Sequence, residues 1–141
     1  MKGISIEEGN GLSQERNMKL SEVSLFIKSD LYRYLGKLTF KGFFYHYFLN
    51  GAFHYSFWLR MARIRFAPIR IIAKLNHNRL SKKYGIHIPV ATQIGYGLYL
   101  GHGLGIVVNQ TAVLGNNVNL GQFVTIGSNK KRAATIGDNV Y

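Results

Sequence analysis

Residues 94–141 read IGYGLYLGHGLGIVVNQTAVLGNNVNLGQFVTIGSNKKRAATIGDNVY, and an aliphatic residue followed by glycine recurs along this stretch. The pairs are Ile94-Gly95, Leu100-Gly101, Leu114-Gly115, Leu120-Gly121, Ile126-Gly127 and Ile136-Gly137. Successive pairs are 6, 14, 6, 6 and 10 residues apart. A helix repeats its apolar face about every 3.6 residues and a strand about every 2, so neither explains this spacing. The spacing predicts a solenoid of coils with three short strands each, in which the aliphatic side chain points inward and glycine lies at a corner.

The period is interrupted in two places. It holds through Leu104 and restarts at Val108, so two extra residues, Gly105-Ile106 or their neighbours, are expected to form a bulge beside His102. Residues 128–133 also leave the period, and their basic side chains predict an exposed loop.

The remainder of the chain differs in composition from the repeat. The net charge is +12, yet residues 84–129 contain no Lys, Arg, Asp or Glu, whereas residues 31–83 contain basic residues and no acid. The chain has no cysteine, which excludes disulfides, thiolate metal sites and a cysteine nucleophile and is compatible with a reducing cytoplasm. Residues 1–16 lack the apolar core of a signal peptide.

Three segments follow from these patterns: a mobile tail over residues 1–17, a helical basic and aromatic cap over 18–84, and the solenoid over 85–141. Apolar spacing predicts a first helix from Met18 that ends at Gly36, and a second over residues 38–49. A third helix is expected from Ala52 to Phe66. Pro68 either breaks this helix or begins a further one that reaches Tyr84.

The uncharged, aromatic stretch over residues 42–59 allows several interpretations. A turn at Asn50-Gly51 argues against a membrane span, because it would leave backbone groups unpaired in lipid. The aromatic side chains either pack the cap onto the solenoid or meet the inner face of a membrane peripherally. In the second case the residues facing anionic lipid would be Arg60, Arg63, Arg65, Arg70, Lys74 and Arg79. Nucleic-acid binding is not favoured, since no motif for it is present.

Residues 100–118 and 124–127 resemble the serine acetyltransferase branch of the hexapeptide-repeat acyltransferases. The resemblance implies an α+β fold, with an N-terminal α-helical segment followed by a left-handed parallel β-helix of about three coils. It also implies a homotrimer that holds acetyl-CoA, with no metal, in the groove between two subunits. Most of that groove belongs to later coils in the family, so the solenoid is expected to be incomplete at its C-terminus and the chain to be a fragment.

The same resemblance assigns catalytic roles. His102, between two glycines, matches the family's catalytic histidine, and a neutral imidazole is a suitable base for deprotonating a hydroxyl. His87 stands where the family has an aspartate that orients this histidine. Gly101 and Gln110 replace two acids that hold the amino group of serine in the family, and Ala133 replaces a substrate-loop histidine.

These replacements predict an uncharged acceptor, such as a sugar hydroxyl in surface-polysaccharide synthesis, with serine as the alternative. A non-catalytic module that binds a membrane or a partner is the competing class of function.

For the donor, the resemblance implies that Thr125 and Gly127 contact the pantetheine arm of CoA. Lys130, Lys131 and Arg132 would meet the CoA phosphates by charge. The alternative is that these basic residues form only a solvated loop.

Overall fold

The computed structural model describes residues 17–129 and 131–141. The predicted mobile tail over residues 1–17 therefore lies, except for Asn17, outside the described residues. The helices are α1 Leu20–Leu35, α2 Phe40–Leu49, α3 Gly51–Met61 and α4 Ala67–Tyr84. The strands are β1 Gln93–Ile94, β2 Tyr99–Leu100, β3 Val107–Val108, β4 Val113–Leu114, β5 Asn119–Leu120, β6 Thr125–Ile126 and β7 Thr135–Ile136.

The strands wind into a parallel solenoid. They form three sheets in the orders β1-β4-β7, β2-β5 and β3-β6, and every pairing is parallel. Ile94 pairs with Leu114 and Leu100 with Leu120, so one coil takes 20 residues at these positions. The predicted fold class, a helical segment followed by a left-handed parallel β-helix, is confirmed.

The interior of the solenoid is built from the aliphatic residues of the repeat. Ile94, Leu100, Leu114 and Leu120 are buried, and Leu98 and Val118 are each 1% exposed between them. Burying one such side chain contributes about 1.5–3 kcal/mol. Ile126 and Ile136 are half-buried and pack against the same cluster.

The bulge beside His102 is present, but the extra residues are not Gly105-Ile106. Ile106 is fully buried, two residues before buried Val108, whereas Leu104 is 48% exposed. Val108 pairs with Ile126, so one coil takes only 18 residues here, two fewer than at Leu100. The insertion therefore lies within residues 101–105.

The helices follow from local signals with one difference. Gly36 ends α1 in the left-handed conformation, with φ 67°, and Pro68 lies in the first turn of α4. The third helix ends at Met61 rather than Phe66, because a backbone bridge holds the next residues in a turn. In this bridge Met18 N donates to Arg63 O at 2.8 Å and Arg65 N donates to Met18 O at 2.7 Å.

A buried ion pair fastens the helices to the solenoid. Arg60 Nε donates to Asp30 Oδ2 at 2.9 Å, and both side chains are almost fully buried. The Arg60 guanidinium also donates to Ile94 O at 3.0 Å and Gly95 O at 2.7 Å. Asp30 Oδ1 accepts from Leu98 N at 2.8 Å. The prediction that Arg60 faces lipid is thus wrong, because this side chain joins α1 and α3 to the first coil.

Candidate active site

The bulge between β2 and β3 presents His102 at the surface. His102 is exposed and adopts a left-handed backbone conformation with φ 57°. The next residue, Gly103, is buried against the first turn of α3 and also has positive φ, at 37°. A Cβ at Gly103 would lie 2.7 Å from the Cβ of Ala52, so only glycine fits. The first turn of α3 therefore packs against the bulge and holds it in place.

His87 lies one coil away, beside the strand that follows the bulge. His87 N donates to Ile106 O at 2.6 Å, and Val108 N donates to His87 O at 2.8 Å. His87 pairs with Val107 as an isolated parallel bridge, and Val107 pairs with Thr125. Since all three residues are exposed, they form one outward column across three coils.

The rings of His102 and His87 are not joined by a hydrogen bond. Within residues 17–129 and 131–141, neither the His102 ring nor the His87 ring has a hydrogen-bond partner. The orientation of His102 by His87 thus remains a prediction. A second imidazole also brings no negative charge to stabilise a protonated base, unlike a carboxylate.

A buried clamp fixes the segment that carries His87. Tyr55 Oη accepts from Ile88 N at 3.1 Å and lies 2.8 Å from His77 Nε2, while Ser81 Oγ donates to Ile86 O. Burial lowers the pKa of His77 to about 4, so its ring is neutral near pH 7. Burial also raises the pKa of Tyr55 above its ordinary value. Helices α3 and α4 therefore set the position of His87 through backbone contacts.

The predicted acceptor residues lie near the bulge but carry no charge. Gly101 N donates to Leu120 O at 2.8 Å in the strand ladder, and a Cβ at Gly101 would meet only ordinary contacts, the nearest at 3.7 Å. A larger side chain would therefore fit at Gly101. Gln110 is exposed in the turn after β3.

The side-chain carboxylates in the described part of the chain have hydrogen-bond partners outside this bulge. Asp30 is buried with Arg60, Glu22 accepts from Lys19 N at the start of α1, and Asp138 accepts from Asn116 N. An acceptor with an ammonium group would find no carboxylate partner here among these three.

The predicted donor residues lie on the same side of the solenoid as β6. Thr125 and Gly127 are exposed, and nothing lies within 4 Å of a Cβ built at Gly127. Lys131 and Arg132 are exposed, whereas Lys130 lies outside the described residues. The loop is attached by Ala133 N, which donates to Thr111 Oγ1 at 2.9 Å.

Two features of this site escaped the sequence analysis. Val107 was not identified, although its place one residue before the inward Val108 in a strand implies an outward side chain. The Tyr55 and His77 clamp leaves no local pattern, because its partners are 22 and 33 residues apart. In the described ranges no group of three or more His, Asp or Glu residues is placed to hold a metal ion.

Comparison with known proteins points to one branch of enzymes. No family model matches the chain. The chain is 37% identical over 75 residues to serine acetyltransferase 1, chloroplastic, of Arabidopsis thaliana, covering 50% of this chain and 24% of that protein. It is 38% identical over 76 residues to a serine acetyltransferase of Staphylococcus epidermidis, covering 50% of this chain and 36% of that protein.

Solved structures extend the likeness to the helices. The Neisseria gonorrhoeae serine acetyltransferase in complex with serine superposes with a TM-score of 0.66 and 29% identity, over 84% of this chain and 51% of that one. The soybean serine acetyltransferase complexed with serine gives a TM-score of 0.64 and 27% identity, over the same shares. The chain spans from a quarter to about half of the length of these proteins. In sequence over its second half, and in fold over most of its length, the chain therefore resembles the serine acetyltransferases.

Proposed function

We propose that the chain carries the acceptor side of an acetyl-CoA-dependent O-acetyltransferase whose acceptor is serine. The observation that supports this most is the exposed His102 imidazole on a bulge of the solenoid, in a chain similar to serine acetyltransferases. Two of the similar structures are complexes with serine, which favours serine over the sugar hydroxyl predicted from the replaced acids.

In the proposed reaction, the neutral imidazole of His102 takes the proton of the acceptor hydroxyl as its oxygen attacks the thioester carbonyl. The new C–O bond forms, the C–S bond breaks, and the imidazolium returns its proton to the CoA thiolate. The products are the O-acetyl ester and free CoA. A positioned base of this kind contributes about 10²–10⁴ in rate.

The other candidate residues act through position and charge. His87, in the segment held by the Tyr55 clamp, would orient the imidazole of His102 from one coil away. Thr125 and Gly127 offer exposed backbone at the strand edge for the pantetheine arm. Lys131 and Arg132, together with Lys130, supply charge for the phosphates. In the proposed trimer, a second subunit completes this groove.

A sugar or other uncharged hydroxyl is the second candidate acceptor. It is supported by the glycine at position 101 and by the absence of a carboxylate near His102 among the described residues. Burying an ammonium group without a counter-charge costs several kcal/mol. Serine thus requires a counter-charge for its ammonium group at this site, and a neutral sugar does not.

Release of CoA thiol distinguishes them. Because the chain has no cysteine, a thiol reagent reports only the CoA that is set free from acetyl-CoA. We expect serine to be turned over faster than any member of a panel of neutral sugars. Faster turnover of a sugar would favour the sugar hydroxyl as the acceptor. If thiol is released with none of the acceptors, an acetyltransferase function for this chain is contradicted.

Introducing a carboxylate sharpens the same test. Gly101→Asp places an acid beside His102 in a position with room for it. If serine is the acceptor, this variant should lower KM for serine and leave KM for acetyl-CoA unchanged. Gly121→Asp, at the equivalent corner one coil above, is the matched control.

A further inference from the structure

Helix α4 presents an unusual outward face. Ala73, His77 and Leu80 are buried against the rest of the protein. The opposite side of the first half of the helix is apolar and open: Ile71 is 60%, Ile72 54% and Leu75 65% exposed. Large aliphatic side chains grouped in this way on a surface mark an interaction site.

The second half of the same helix is basic. Arg79 and Lys82 are exposed about one and two turns after Leu75, on the outward side, and Arg65 is exposed just before the helix begins. No Asp or Glu occurs between residues 31 and 137, and the nearest preceding acid, Asp30, is buried with Arg60. The apolar patch is thus bordered by positive charge, and the segment over residues 31–137 contributes no acid to offset it.

The apolar surface continues past the start of the helix. An open groove of about 580 Å³ lies between the beginning of α1 and the turn before α4, lined among others by Leu20, Phe66 and Ile69. Leu20 and Phe66 are each 61% exposed. Ile69 lies three residues before Ile72 on α4, so the groove borders the apolar patch of the helix.

We propose that this face of α4 rests on an anionic lipid bilayer, with Ile71, Ile72 and Leu75 at headgroup depth and Arg65, Arg79 and Lys82 against lipid phosphates. A helix with exposed apolar residues and basic neighbours lies in the plane of such an interface. Each basic residue near an anionic surface contributes about 1 kcal/mol.

Charge decides against a second copy of the chain as the occupant. In a symmetric pair of copies that meet through this face, Arg65, Arg79 and Lys82 of both copies would share one interface, to which residues 31–137 bring no acid. The exposed side chains also stand on a convex helix surface, and a fluid bilayer can follow such a shape without a complementary pocket. The inference goes beyond acetyl transfer and does not depend on it.

No helix in the described ranges is sufficiently long and apolar to cross a membrane. The proposed contact is accordingly peripheral and requires anionic lipid. It keeps Arg65 and Arg79 from the basic residues predicted to face lipid and adds Lys82. Arg60 is buried, and Arg70 donates to Ile64 O at 3.3 Å and Arg65 O at 3.0 Å instead of facing solvent freely.

Sedimentation with vesicles tests the proposal. We expect the 141-residue chain to bind vesicles of phosphatidylcholine with about one third phosphatidylserine, and to bind pure phosphatidylcholine vesicles at least about tenfold less. Ile71→Ser with Leu75→Ser should weaken binding to the anionic vesicles by about tenfold or more, because the inserted apolar area is lost. Val140→Ser, an exposed aliphatic residue of the solenoid, should leave it unchanged.

Two charge-reversal variants distinguish lipid binding through this face from attraction by the net charge of the chain. Lys82→Glu should lower binding by about fivefold or more, and Lys131→Glu, which changes net charge equally, should have much less effect. Equal effects of the two reversals would contradict a specific face on α4. Vesicle binding that is insensitive to the Ile71 and Leu75 changes would also contradict it. So would a parent chain that binds no lipid together with a double variant that forms a smaller oligomer on gel filtration, because the face would then join copies of the chain.

Discussion

The solenoid and the helical cap reach stability by different means. In the solenoid, residues such as Ile94 and Leu114 lie directly over one another, and each coil repeats the hydrogen bonds of the last. In the cap, α1 packs in a separate cluster, whereas buried residues of α3 and α4, among them Tyr55, Leu59 and Leu80, belong to the core of the solenoid. The buried ion pair of Asp30 with Arg60 joins α1 and α3 to the first coil. The solenoid is thus held by a repeated contact and the cap by contacts that each occur once, and the candidate site lies where the two regions meet.

The largest effect is expected from breaking the ion pair. Asp30→Asn leaves the Arg60 charge buried without a counter-charge, which costs about 3–5 kcal/mol of the free energy of unfolding. Urea denaturation measures the loss. Asp138→Asn, at an exposed acid of the last coil, is the control and should cost less than about 1 kcal/mol. Similar small losses for both variants would show that the ion pair does not fasten the cap.

A pH titration probes the clamp between cap and solenoid. The folded-state pKa of His77 is about 4, below its ordinary value of 6.5, so the unfolded chain binds a proton that the folded protein excludes between these pH values. Stability from this group is complete above pH about 6.5 and is lost as the pH falls towards 4, by about 3 kcal/mol. His77→Gln should flatten this dependence. An unchanged slope in that variant would rule His77 out as its source. His102→Gln, at an exposed ring that does not shift the pKa of His77, should keep the slope.

A smaller effect is expected at the contact that holds the bulge. Gly103→Ala adds a Cβ 2.7 Å from the Cβ of Ala52 at a residue with φ 37°, which should cost about 1–3 kcal/mol. Gly121→Ala is the matched control, because nothing lies within 4 Å of a Cβ built there. Thermal unfolding of the two variants gives the difference. Equal midpoints would mean that the cap does not support the bulge.

The same contrast explains what could be predicted from sequence. The aliphatic-glycine pairs predicted the coils because their interior is a local pattern repeated along the chain, and Gly36 and Pro68 predicted helix ends because each acts through its own backbone. The role of Arg60 could not be predicted, since its partner lies 30 residues away and no local spacing marks it.

At the candidate site, the bulge was predicted, but the extra residues were assigned to the wrong positions. Leu104 and Ile106 are both aliphatic, so the sequence does not show that Ile106 points inward and Leu104 outward. The exposure of His102 and the column of His87, Val107 and Thr125 depend on the register between coils, which the structure supplies.

Turnover by a His102→Ala variant tests the central claim most directly, namely that the bulge presents this imidazole as the base for acyl transfer. With acetyl-CoA and serine, kcat for thiol release should fall by about 10²–10⁴, with an unchanged midpoint of unfolding. Leu104→Ala, at an exposed neighbour in the same bulge, should keep kcat within about threefold of the parent chain. Equal turnover by the His102→Ala variant and the parent chain would contradict the assignment.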